Sequence, residues 1–182
     1  MNPAANLFFI GPMGAGKTTI GRRVAELIGL PFFDLDHEIE THCGADIPLI
    51  FELEGEAGFR QRESAALAEL GQRDGIALAT GGGAVLAPAN RDVLRARGFV
   101  VYLETTVQEQ LARLSRDRKR PLLAAPDRRE RLLTLMTQRE PLYRELADFT
   151  LPAGHRGSTA QVALRLATAL QQRWQRMPEA AA

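Results

Sequence analysis

The chain has 182 residues, of which 45% are hydrophobic and 25% charged, and its formal net charge is +1. That is one ordinary globular domain, residues 1–182, with enough apolar material for a normal core. A charge so near zero gives no global field for nucleic acid or an anionic membrane, and no stretch approaches the roughly 18 apolar residues of a membrane span.

Cys43 is the single cysteine, which excludes an internal disulfide and fits a reducing compartment. The N-terminus carries no basic, apolar leader pattern, so a cytoplasmic location is expected.

In chain order, a short apolar strand is predicted over Asn6–Ile10. It runs directly into Gly11-Pro12-Met13-Gly14-Ala15-Gly16-Lys17-Thr18, which has P-loop spacing and opens a predicted helix, Lys17–Ile28. Glycines there let backbone N–H groups turn inward around phosphate oxygens, and the helix N-terminus adds positive potential. Lys17 is placed to reach the β- and γ-phosphates, and the Thr18 hydroxyl to ligate Mg²⁺. Lysine occurs only at Lys17 and Lys119, so a chance match to this motif is remote. The motif establishes nucleotide binding but does not name the reaction.

A second strand, Pro31–Leu35, delivers Asp34 and Asp36 near its end. Strand alternation sends both carboxylates the same way, toward the cleft beyond the carboxyl ends of an open α/β sheet. One suits the water shell of Mg²⁺ and the other an acceptor hydroxyl; the competing reading has Asp36 capping the next helix. A helix predicted over Ala57–Leu70 opens on Phe59-Arg60-Gln61-Arg62-Glu63. A guanidinium is the natural fork for a carboxylate, although a solvated helix face also explains such charges. Gly81-Gly82-Gly83 follow the strand Ile76–Ala79, where a backbone without Cβ atoms lets a ligand approach closely.

Pro88 can open a helix, predicted over Arg91–Ala96, followed by a strand at Phe99–Leu103 and a helix at Val107–Leu114. The segment Arg113 to Arg131 carries eight basic residues against three acids, with Pro121 and Pro126 inside it. A solvated loop, a nucleic-acid patch and a phosphate-covering lid all fit such charge. Interleaved aromatics are absent, and the P-loop favours a mobile lid, about 115–127, that brings arginine to the transferring phosphoryl group. A helix at Arg128–Leu146, a strand at Asp148–Leu151 and a helix at Thr159–Trp174 complete the pattern. Parallel strands alternating with crossover helices imply a three-layer α/β/α fold. His37, His42 and Cys43 lack the spacing of a zinc motif and read as solvated side chains.

Together the glycine-rich loop, Asp34-Leu35-Asp36, Phe59-Arg60, Gly81-Gly82-Gly83, Arg120-Pro121-Leu122-Leu123 and Arg139-Glu140-Pro141-Leu142-Tyr143 resemble the shikimate kinases over most of the chain. The resemblance implies a P-loop NTPase fold with a five-stranded parallel sheet, a mobile lid and an acceptor-binding region at about residues 34–62. It implies that ATP, Mg²⁺ and shikimate yield shikimate 3-phosphate and ADP, in a monomer without nucleic-acid or membrane partners.

By that resemblance Gly14, Ala15, Gly16, Lys17, Thr18 and Thr19 hold the nucleotide phosphates, and Thr18 and Asp34 serve the metal. Asp36 holds the acceptor hydroxyls as the expected base, Arg60 and Arg139 grip the carboxylate, and Gly82 offers a backbone contact. Arg120 is the lid arginine, Arg113 and Arg156 flank the adenine, and Phe51 and Phe59 form apolar walls. Lys17, Asp36 and Arg120 are the implied catalytic set. One departure is visible: where the family often has Asn-Arg-Arg-Asn-Pro, this chain reads Gly154-His155-Arg156-Gly157-Ser158.

Two other readings compete. A P-loop kinase for gluconate or a nucleoside monophosphate keeps the P-loop and lid without requiring Arg60 and Arg139. A GTPase-like switch requires Asn-Lys-x-Asp and Asp-x-x-Gly motifs, which the sequence lacks.

Overall fold

A computed structural model describes residues 4–115, 127–155 and 157–174. Among these, β1 (Asn6–Ile10), β2 (Phe32–Asp34), β3 (Ala77–Ala79), β4 (Gly98–Leu103) and β5 (Phe149–Leu151) form one parallel sheet in the order β2-β3-β1-β4-β5. All five residues of β1 and all six of β4 are buried, which explains their nearly unbroken apolar sequence: a parallel strand is covered on both faces.

Alternation along the strands sorts the core into two layers. Leu7, Phe9, Val101 and Leu103 face α1 (Lys17–Ile28) and α7 (Thr159–Arg173), packing with Val24, Leu166 and Trp174. Phe8, Ile10, Val100 and Tyr102 face the opposite layer. That layer contains α2 (Leu35–Cys43), α3 (Ile47–Gly71), α4 (Pro88–Arg97) and α6 (Arg128–Leu146). The expected three-layer α/β/α arrangement with a five-stranded parallel sheet is present. Among the described residues no helix is long and apolar enough to cross a membrane.

Three local expectations are corrected. The stretch after β2 is helical: α2 starts at Leu35, and its N-cap is Asp34, whose carboxylate accepts from the backbone N–H groups of Asp36 and His37. Strand alternation therefore ends at Asp34 and does not set the direction of Asp36. The following helix begins at Ile47, not Ala57, and holds a non-helical Gly55 at φ 69° and ψ −175°. The expected start falls just beyond that break, so the sequence pattern found the second of two helical stretches joined at a kink. Helix α4 likewise begins at Pro88 rather than Arg91.

Because all strands run in parallel, their carboxyl ends share one edge of the sheet. Asp34 pairs in register with Ala79, and Ala79 with Phe9. The topology thus brings the Asp34 turn, the glycine loop after β3 and the P-loop after β1 side by side. Helix α5 (Val107–Leu114), after β4, packs on the far side of the P-loop.

Candidate active site

The P-loop is a chain reversal that needs glycine. Gly11 has φ 141°, and a β-carbon there would come within 2.5 Å of the Leu103 carbonyl oxygen. Gly16, also left-handed at φ 92°, caps α1 without using a side chain. The Lys17 ammonium donates to the carbonyls of Gly11 (2.8 Å) and Pro12 (2.9 Å), which fixes it over the loop mouth. From α5, Gln110 donates to the Met13 carbonyl at 2.7 Å and Arg113 to the Gly14 carbonyl at 2.8 Å. The loop's carbonyls are therefore braced from outside. Gln110 was not among the expected residues, and its burial on a polar, short helix leaves little trace in sequence.

At the base of the loop, the Thr18 hydroxyl donates to Asp34 Oδ2 at 2.5 Å. Asp34 Oδ1 faces the other way and caps α2. A hydroxyl and a carboxylate in contact beside a phosphate cradle form a hard-oxygen donor set, which fits Mg²⁺ rather than a softer metal.

The acceptor side is built around Gly81–Gly83. A β-carbon on Gly81 would lie 2.5 Å from Glu63 Oε1 and 3.0 Å from Asp36 Oδ1, and one on Gly83 would collide with the Arg60 guanidinium. At Gly82 it would meet the Met13 backbone nitrogen at 3.4 Å and an Arg139 nitrogen at 3.7 Å. The missing side chains thus make room first for the protein's own Asp36, Arg60, Glu63 and Arg139. These groups, scattered over α2, α3 and α6, converge on one loop next to the P-loop.

Their electrostatics are polarised. Arg60 donates to Glu63 at 2.7 Å and to Glu56 at 3.1 Å. Glu63 is only 1% exposed, and burial pushes its carboxyl above the ordinary value of 4.5, with Arg60 opposing and Asp36 reinforcing the rise. Its Oε1 has no hydrogen-bond partner.

Arg139 is 4% exposed. Burial and the nearby Arg60 cation lower its pKa, while Tyr143 favours its charged form. It makes no ion pair with any described residue, and both Arg60 Nε and Arg139 Nε are buried without partners. Sequence reasoning missed Glu63 as a site group because an Arg–Glu pair three residues apart reads as a surface helix pair. Phe51 and Phe59 pack tilted at 35° with ring centroids 4.8 Å apart, and the Arg60 guanidinium lies 5.3 Å from the Phe59 centroid.

On the opposite flank of the P-loop, a cleft of about 290 Å³ is lined by Ala15, Gly16, Thr19, Arg113, His155 and Gly157 among others. It has room beside the loop for the nucleoside end of a nucleotide. Ser158, standing where the family often has proline, caps α7 in a reciprocal box with Gln161. Cys43 Sγ accepts from Arg62 at 3.3 Å, away from this cleft. Arg120, Arg156 and nearly all of the expected lid lie outside the described residues.

The geometry brings together a glycine-rich P-loop, a hydroxyl–carboxylate oxygen pair and a pocket carrying two arginines. The sequence model of the Shikimate kinase family matches residues 13–171. A shikimate kinase of Bordetella avium is 60% identical over 81% of this chain and 71% of its own length. Another, from Stenotrophomonas maltophilia, is 54% identical over 97% of each chain. Among solved structures, a shikimate kinase from Acinetobacter baumannii in complex with shikimate matches with a TM-score of 0.89 at 47% identity. That match covers 94% of this chain and 95% of the other. The chain belongs to the shikimate kinase family.

Proposed function

We propose that this chain transfers the γ-phosphoryl group of ATP to the 3-hydroxyl of shikimate, giving shikimate 3-phosphate and ADP. The carrying observation is Arg139, a buried cation in ion-pair contact with no described carboxylate, beside Arg60 and against the glycine loop. A charge buried in this way calls for an anion, and the carboxylate of the acceptor supplies it. Phe51 and Phe59, packed against each other, offer an apolar wall that suits a carbon ring better than an open polyol such as gluconate.

In this reading the P-loop amides and Lys17 hold the β- and γ-phosphates, with Arg113 and Thr19 beside the nucleoside cleft. Arg60 and Arg139 fork the acceptor carboxylate. Asp36 accepts the proton of the attacking hydroxyl, which leaves the oxygen free to bond phosphorus as the bond to ADP breaks. Thr18 and Asp34 would hold Mg²⁺, which would supply charge neutralisation at the phosphate oxygens. Glu63 keeps Arg60 in position, and its unpaired oxygen adds a polar group beside Asp36 and Gly81. Arg120 is assigned to the phosphoryl oxygens by family resemblance. The proposed working unit is a monomer and the proposed compartment the cytoplasm, in keeping with Cys43 as the single cysteine.

Thermal melting tests the acceptor assignment. Shikimate added with ADP should raise the melting temperature, while gluconate should not. Stabilisation by gluconate and none by shikimate would reject it. Phosphorus-coupled proton NMR of the product should place the phosphate on the 3-hydroxyl.

A further inference from the structure

Tyr143 stands one helical turn after Arg139 on α6 and is fully buried. Its hydroxyl donates to the Gly82 carbonyl at 2.5 Å, and the Arg139 guanidinium lies beside both, 3.7 Å from where a β-carbon on Gly82 would stand. A carbonyl can only accept and a guanidinium can only donate, so the proton goes to Gly82 and only the oxygen lone pairs can face Arg139. Since the Gly82–Gly83 peptide is planar, holding its carbonyl also fixes the Gly83 N–H on the opposite side. One hydroxyl therefore ties a cation on α6 to the backbone of the loop after β3.

We propose that Tyr143 is a positioning residue for the phosphoryl acceptor, aligning Arg139 and the Gly82 backbone together through its single hydroxyl. The proposal rests on reading Arg139 as a carboxylate-binding group. Tyr143 lies behind that group, buried against Tyr102 with ring centroids 5.2 Å apart. Its influence on the acceptor passes through Arg139 and Gly82. Without the hydroxyl, Arg139 and Gly82 lose a shared reference point and the acceptor site loosens, while the P-loop contacts stay as they are.

Tyr102 supplies an internal control. It is equally buried, and its hydroxyl has no hydrogen-bond partner. Tyr102→Phe thus removes a hydroxyl from the same aromatic stack without touching the Arg139–Gly82 link. The chain has 2 tyrosines, so 3-fluorotyrosine incorporated into Tyr102→Phe protein labels Tyr143 alone.

The experiment measures shikimate-dependent ADP release for Tyr143→Phe, Tyr102→Phe, Arg139→Ala and the Tyr143→Phe/Arg139→Ala double variant. Tyr143→Phe should raise the shikimate KM about tenfold, the scale of one lost hydrogen bond to a charged group. Its kcat should stay within about twofold, with ADP affinity by calorimetry unchanged. Tyr102→Phe should match the wild type, and Tyr143→Phe should add under about twofold in the Arg139→Ala background.

An unchanged KM in Tyr143→Phe beside a raised one in Arg139→Ala would overturn the role of Tyr143 alone. So would a rise in KM that persists in full without Arg139. An unchanged KM in Arg139→Ala would overturn the carboxylate clamp and the Tyr143 proposal with it. Should Tyr143→Phe fail to fold, the ¹⁹F resonance of labelled Tyr143 decides. It should shift on shikimate binding, and a resonance indifferent to saturating shikimate would overturn the proposal.

Discussion

Replacing Arg139 with alanine separates binding from stability in a way an ordinary surface arginine could not. At 4% exposure the guanidinium is withdrawn from water, it has no described carboxylate partner, and its neighbour Arg60 repels it. Truncating one side of a buried, hydrogen-bonded charge pair costs about 2–5 kcal/mol. Arg60 remains as half of the fork, so the lower part of that range applies, about 3 kcal/mol or a ~150-fold rise in the shikimate Kd.

The unliganded protein should respond differently. Burial lowers the pKa of Arg139, which means the fold disfavours its charge. Removing the charge relieves that strain and offsets the lost packing, so the apo melting temperature should stay within about 3 °C of the wild type. Calorimetry of shikimate binding, with ADP titrated separately, reads the first effect, and a thermal melt the second. Unchanged shikimate affinity would refute the assignment. A large loss of apo stability would mean that Arg139 is structural.

Three further outcomes are expected, two from the geometry and one, at Arg120, from the family resemblance. Asp34→Asn keeps an N-cap acceptor for α2 but loses the carboxylate charge, so half-saturating Mg²⁺ should rise at least ~10-fold with little change in melting temperature; a Mg²⁺ titration of turnover checks this. Glu63 has a raised pKa, so the folded protein holds its proton more tightly than the unfolded chain. Its stabilising contribution is full below 4.5 and drains as pH rises through the raised value. Melting curves of wild type and Glu63→Gln should therefore diverge over that window, and a flat difference would refute the burial argument. Arg120→Ala should lower kcat by ~100- to 1000-fold while raising the shikimate KM far less, and wild-type turnover would remove the lid-arginine role.

Much of this site could be read before folding, for identifiable reasons. The P-loop is contiguous, so its spacing alone carries Lys17 and Thr18, and the bounds of α1, α5 and α6 coincide with their sequence patterns. The first half of α3 was hidden because Gly55 breaks the helical pattern and the kinked stretch exposes Leu49 and Leu53. Helix α2 escaped because only Leu35 and Ile39 mark its buried face.

Groups that act through long-range contact were the least legible. Nothing near Glu63 reveals that Gly81 opens space for its carboxylate, or that Tyr143 meets a carbonyl 61 residues away in sequence. The glycine run was visible, but its physical meaning was not. Gly81 and Gly83 accommodate the protein's own charged side chains before any ligand arrives.

The most direct test of the account is ADP release from ATP and Mg²⁺ with shikimate, gluconate and nucleoside monophosphates supplied in turn. Release that depends on shikimate alone is the predicted result. Release with another acceptor, or at an equal rate with none, would contradict the shikimate assignment while leaving the phosphate cradle intact.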